Sequence, residues 1–145
     1  EKLKESVQLV VMDADEAIYI EKVESDNMVR LYTKIGRRAP LYLGACPRIL
    51  LSFLPDKEID RIISNDLNFE KKCKLSLEGL WDSIHTTRQR GFTYSTSELE
   101  EGTAAFGTPI FNGRGEIEAS LSIASFSGVL KLENYSKYIY PMWEV

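Results

Sequence analysis

The sequence predicts an α+β domain, one antiparallel sheet carrying helices on its faces. Three observations lead there. About six short runs have strand composition and are mostly joined by hairpin-type turns. A helical pair is inserted in the middle of the strands, and helical patterns stand at both ends. Strands and helices do not alternate one for one, so a parallel doubly wound sheet is disfavoured. The length of 145 residues suits one domain.

Ser6 to Met12 is short, β-branched and apolar, and Asp13-Ala14-Asp15-Glu16 breaks it with turn formers. Ala17 to Val23 reads as the returning strand of a hairpin. Met28 to Thr33 alternates well enough to be a third strand, and Gly36 to Pro40 reads as loop. A helix is expected from Pro47, because proline at the first helical position gives up only an amide without an intrahelical partner. It ends by Leu54, ahead of Pro55. Asp56 to Ile63 begins a second helix, with acids in its first turn and Ile59, Ile62 and Ile63 on one face. After a polar, lysine-bearing connector, Leu77, Leu80, Trp81 and Ile84 repeat at helical spacing until Gly91 closes the helix. Phe92 to Ser95 is a brief strand. Thr103 to Phe111 and Glu116 to Ser125 form a long hairpin around Asn112-Gly113-Arg114-Gly115, where Asn and Gly tolerate positive φ. Leu132 to Val145 reads as a closing helix.

The bulk numbers exclude several functions. With 18 basic against 22 acidic residues the formal charge is −4, whereas a domain that grips phosphates carries a basic excess. DNA binding by this chain itself is therefore disfavoured. No run approaches the ~20 apolar residues of a membrane span, and the start, Glu-Lys-Leu-Lys-Glu, lacks a signal-peptide pattern. Two cysteines, Cys46 and Cys73, fall short of a disulfide framework and fit a reducing cytoplasm. No metal-ligand spacing surrounds the single histidine, His85, so neither a metal nor another cofactor is expected.

No catalytic residue is assigned. A hydrolase triad would rest on His85, which reads as a solvated helix residue, and no serine lies in a Gly-x-Ser-x-Gly elbow. Cys46 is either a thiolate activated by a helix N-terminus or a pocket-lining side chain. Gly44-Ala45-Cys46 leads into a helix whose free amides attract carboxylate or phosphate, with Pro47 subtracting one donor. Lys34, Arg37, Arg38 and Arg48 gather in sequence around that start, either as a solvated face or as a group drawing an anion toward it.

Three segments in fixed order resemble the effector-binding domain of the IclR family of bacterial transcriptional regulators. Pro40 to Pro55 is similar to the family's Pro-Leu-His-Ala-Thr-Ala-Ser-Gly-Lys-Ala-Leu-Leu-Ala-Phe-Leu-Pro, with Tyr42, Pro47 and Arg48 in place of its His, Gly and Lys. Gly91-Phe92 through Glu98-Leu99-Glu100-Glu101-Gly102 is similar to Gly-Tyr-x-x-x-x-x-Glu-x-x-x-Gly. Thr108 to Asn112, Gly115 and Ala119 to Ile123 are similar to Ala-Pro-Val-Phe-Asp, a turn Gly and Ala-Ala-Leu-Ser-Val. The match runs over about four-fifths of the chain.

The resemblance implies a GAF-like fold, a curved antiparallel sheet of about six strands with helices on both faces. It implies a non-enzymatic sensor that binds a small organic acid, forms dimers or dimers of dimers, and touches DNA only through an amino-terminal winged helix-turn-helix. Residues 1–5 would end the linker helix from that head, and residues 6–145 would be the effector domain. Carried over residue by residue, the family's pocket falls on Ala45 and Cys46, whose amides would hold a carboxylate. It also falls on Ser95, Ala105, Ser122 and Ala124, with Met28 and Leu31 on the apolar wall. Members that bind small keto acids place Asp, Cys and Ser where this chain has Ser95, Ala105 and Ala124. A carboxylate with a bulkier, less polar tail than glyoxylate or pyruvate is therefore expected. The alternative is a free-standing GAF-like signalling module tied to no DNA-binding head.

Overall fold

A computed structural model describes residues 6–23, 35–73, 75–96, 102–126, 130–137 and 139. Six strands form one antiparallel sheet: β1 (Ser6–Asp13), β2 (Glu16–Val23), β3 (Arg38–Pro40), β4 (Thr93–Thr96), β5 (Thr103–Phe111) and β6 (Ile117–Phe126), in the order β3-β2-β1-β6-β5-β4. Between β3 and β4 lie α1 (Ala45–Ser52), α2 (Asp56–Ser64), the single turn α3 (Phe69–Lys72) and α4 (Leu77–Arg90).

The β1–β2 hairpin closes through Ala14 and Asp15, both at positive φ (51° and 67°), with Asp13 opposite Glu16. A two-residue loop with both central residues left-handed matches the twist of the strands it joins. The β5–β6 hairpin turns where expected, over Asn112 to Gly115. Its left-handed residue is Gly115 (φ 79°), while the Asn112 side chain accepts from the amides of Arg114 and Glu116. Gly115 N also donates to Asn112 O at 3.0 Å, so the side-chain turn on Asn adds to the backbone one.

Every residue of α1 is buried, because the helix lies between the sheet and α4. Its start departs from expectation: Gly44 is the N-cap and Ala45 the first helical residue, so Pro47 stands third rather than first. Proline is still tolerated there, since the amides of the first turn have no intrahelical partner. The Arg88 guanidinium caps the far end, donating to Ser52 O (2.6 Å) and Leu54 O (3.0 Å) while pairing with Asp56. Helix α2 buries Ile59 and Ile62. Helix α4 starts on the Ser76 hydroxyl, which accepts from Gly79 N, buries Leu80, Ile84 and Thr87, and ends on left-handed Gly91.

Two expectations are corrected. Arg38 to Pro40 is not loop but an edge strand paired with Glu16 to Ile18. The polar connector before α4 holds the helical turn α3. The strand expected over 28–33 and the linker helix at 1–5 lie outside the described residues. The closing helix shows only its start, a 3-10 turn over Leu132–Asn134 leading into helical residues 135–137.

Side chains alternate between the faces of the sheet, and each face has its own core. Val10, Ala17 and Tyr19 meet Tyr42, Cys46, Leu50, Ile59, Leu80 and Ile84 of the helical side. On the opposite face Phe106 and Ile123 pack with Phe92, Leu130 and Ile139, so chain covers both faces.

Candidate functional site

Pairing register gathers the residues of the helical face into three cross-strand rows. Ser95, Ala105, Ala124 and Ser6 stand opposite one another in the first; Thr93, Gly107, Ser122, Gln8 and Lys22 form the second; Pro109, Ser120, Val10 and Tyr19 form the third. The amino-terminal turn of α1 lies on the second row. The Thr93 hydroxyl donates to Ala45 O at 2.7 Å, and a β-carbon on Gly107 would come within 2.9 Å of that same oxygen. A glycine is required there because helix and strand backbones nearly touch.

Six of the eight positions expected for the pocket, namely Ala45, Cys46, Ser95, Ala105, Ser122 and Ala124, thus stand on one face around the start of α1. Met28 and Leu31 lie outside the described residues. The structure adds three further polar groups. Cys46 Sγ and Ser120 Oγ are 3.0 Å apart, and Ser122 Oγ donates to Gln8 Oε1 at 3.3 Å. Tyr19 is 3% exposed and joins the third row. Gln8 carried the only sequence signal of the three: one amide inside the apolar run Val7 to Met12, on the same strand parity as core Val10.

The Cys46 thiol is pushed up to about 11, chiefly by burial, with the Ser120 and Ser122 hydroxyls opposing that rise. The raised value favours the protonated thiol and, of the two alternatives for Cys46, speaks against the activated thiolate. Burial likewise raises the Tyr19 phenol well above its ordinary value, and the neighbouring Cys46 adds to the rise. Both groups sit in the site as neutral hydrogen-bonding groups.

Of the basic residues expected around the helix start, Arg38 and Arg48 turn away from it, while the charge of Arg37 reaches Tyr19. Arg38 pairs with Asp13 and Glu16 at the turn of the β1–β2 hairpin. Arg48 is 2% exposed and faces the other way, donating to Ser83 Oγ and Tyr42 O. Lys34 lies outside the described residues. His85 is exposed beside Trp81, with ring centroids 5.8 Å apart. A separate cleft of about 440 Å³ is rimmed by Asp15, Glu16 and Asp66. These acids already engage Arg61, Arg38 and the Tyr42 hydroxyl.

Among the described residues, no three His, Cys, Asp or Glu side chains gather to hold a metal ion, and no helix is long and apolar enough to cross a membrane.

The family profile described as "Bacterial transcriptional regulator IclR C-terminal" matches residues 1–142. The chain belongs to the IclR family. It is 47% identical over 127 residues to the HTH-type transcriptional regulator KipR of Bacillus subtilis, covering 86% of this chain and 51% of that protein. It is 32% identical to KdgR of Escherichia coli over 83% of this chain and 47% of that one. Among solved structures, the Thermotoga maritima IclR superposes with a TM-score of 0.87 at 26% identity, over 97% of this chain and 58% of that one. The C-terminal domain of E. coli KdgR superposes at 0.81 with 27% identity, over 98% and 83%. The chain spans about half the length of the curated relatives it matches. These relatives are transcriptional regulators and not enzymes, and the fold is the GAF-like one of IclR C-terminal domains.

Proposed function

We propose that this IclR C-terminal domain is the effector-binding and self-associating part of a cytoplasmic regulator, controlling a DNA-binding head that precedes it. Residues 1–5 end the linker helix to that head in this reading, and residues 6–145 form the sensor. The ligand is a small organic acid. What supports this most is the neutral buried polar group Cys46, Ser120, Ser122 and Gln8, placed at the start of α1. A helix start supplies backbone donors and the positive end of a dipole to a carboxylate, and a neutral floor adds no competing anion. Ala105 and Ala124 give the adjoining row an apolar surface, which favours a tail less polar than that of glyoxylate or pyruvate.

Ligand binding would favour one arrangement of the domain, and the linker helix would carry that preference to the head. Thermal-shift screening of small carboxylic acids tests the reading. A ligand at about 100 times its Kd raises stability by about 2.7 kcal/mol; no shift from any acid at millimolar concentration would refute it. Calorimetry tests the tail: an aromatic acid should bind more tightly than glyoxylate, and equal affinity counts against it. Light scattering should give a dimer or tetramer, and a monomer at every concentration would remove the self-association.

A further inference from the structure

We propose that Arg37 is a specificity-determining residue, holding the far carboxylate of a dicarboxylic ligand and so selecting it over a monocarboxylate of the same chain length. This rests on the carboxylate reading above and narrows it to one class of acid.

A bulge places Arg37 on the face of the site. Tyr19 N donates to Arg37 O at 3.0 Å while Gly36, at φ 92°, donates to Tyr19 O at 2.6 Å, so Gly36 and Arg37 together oppose one residue. A left-handed glycine in the first position of such a pair marks a bulge that re-aims the side chain beside it. Two residues on, Ala39 pairs with Ala17 and is buried in the core of the helical face. Side chains alternate along a strand, so Arg37 shares that face, and the third row continues from Ser120 through Val10 and Tyr19 to Arg37. Its charge reaches the buried Tyr19 phenol, as does that of Cys46, whose Sγ lies 3.0 Å from Ser120 Oγ. The cation and the start of α1 thus bear on one buried side chain. Lys22 ends the second row at the same edge, so both rows finish on a basic residue.

Charge and span both point to a second anion. The chain carries a formal charge of −4, which by itself repels a dianion, so a preference for one needs a local cation. One carboxylate sits on the start of α1, and a second is tolerated in the site only beside a counter-charge. Strands lie about 4.8 Å apart, so the backbones of Ser120 on β6 and Arg37 before β3 stand roughly 14 Å from each other across the sheet. The arginine side chain and a short dicarboxylic acid divide that span between them. A guanidinium carries five donors in a planar fork, so Arg37 can take a carboxylate while keeping the contact it already makes. The hydrocarbon between the two carboxylates supplies the apolar body argued for above, and only the far end is charged.

The test is calorimetric titration of this chain with glutarate and pentanoate, acids of equal chain length that differ in the second carboxylate. Glutarate should bind at least about tenfold more tightly, the factor expected of one net hydrogen bond between charged groups. In Arg37→Gln that advantage should fall below about threefold while pentanoate keeps its affinity to within about twofold. A glutarate preference that survives Arg37→Gln overturns the proposal, including one that is lost only in Lys22→Gln. Equal weakening of both acids in Arg37→Gln also overturns it, because a residue that merely supports the fold would act on both. Pentanoate binding as tightly as glutarate to the parent chain overturns it while leaving the carboxylate site standing. Failure of both acids to bind removes both readings. Should Arg37→Gln lose its circular-dichroism signature, Arg37→Lys serves instead. It keeps the charge but not the fork, so the glutarate advantage should shrink, and an unchanged advantage overturns the proposal.

Discussion

Strands β5 and β6 carry two different cores on their two faces. On one face Phe106 and Ile123 pack among Phe92, Leu130 and Ile139, with Phe92 and Phe106 edge to face at 6.1 Å. On the other, one residue over, Ala105, Gly107, Ser120, Ser122 and Ala124 are small, and their hydroxyls are held by a thiol and an amide. Both faces are buried. The aromatic face fills its volume with side chains, whereas the small-residue face lets a helix backbone approach within hydrogen-bond reach of the sheet. The first supplies stability, and the second gives up some of it for the close backbone approach on which the proposed ligand site rests.

The comparison is most severely tested by Phe106→Ala. Large-to-small truncation of a buried aromatic costs about 3–5 kcal/mol, so the urea midpoint should fall steeply; a loss below about 1 kcal/mol would mean the aromatic face is not the stabilising one. Gly107→Ala on the opposite face should cost about 1–3 kcal/mol. The new methyl would meet Ala45 O and Thr93 Oγ1. Because that contact displaces the start of α1, any acid found by thermal shift should also bind more weakly, which Phe106→Ala, if folded, would not cause. Thr93→Val isolates the single bond to Ala45 O and should cost about 1–3 kcal/mol by leaving a buried acceptor unmade.

Thiol chemistry sharpens the contrast further. With its pKa near 11 and 2% exposure, Cys46 should resist iodoacetamide at pH 8 while the less buried Cys73 reacts, as mass spectrometry would read. The sign follows from the raised value: the protonated form is favoured in the folded state, so this stabilisation is complete below the unfolded value of 9.0 and is lost as pH rises through about 11. Rapid labelling of Cys46 at pH 8 would show that the site opens. The smallest effect belongs to the β1–β2 turn. Ala14 holds a left-handed φ of 51°, which costs a residue with a β-carbon roughly 1 kcal/mol. Ala14→Gly should recover part of this as a slightly higher melting temperature.

Much of the fold was legible because it is written locally. The β-branched apolar run Ser6 to Met12, the Asp13 to Glu16 turn, the periodicity of α4 and its Gly91 cap each depend on residues close in sequence. What was not legible depends on partners. Arg38 to Pro40 becomes a strand only because Glu16 to Ile18 offers an edge, and α3 is too short to have a period. The basic cluster around α1 was dispersed for a related reason: Arg38 and Arg48 are neighbours in sequence but project to different elements. Six pocket positions came through family resemblance, not through any pattern of their own. Gln8 stayed hidden because its partner Ser122 lies 114 residues away.

The sequence alone determined a single acidic α+β domain, its long hairpins, its amphipathic helices and its membership of a sensor family, since these rest on composition, periodicity and motif order. The tertiary structure decided which residues share a face. Register slips between Leu9 and Val10 and between Ile110 and Phe111 change the alternation along paired strands. A shift of one residue moves every later side chain to the other side of a sheet. Which serine meets the thiol, and which glutamine meets the serine, is therefore set by pairing across the sheet, and no window along the chain contains it.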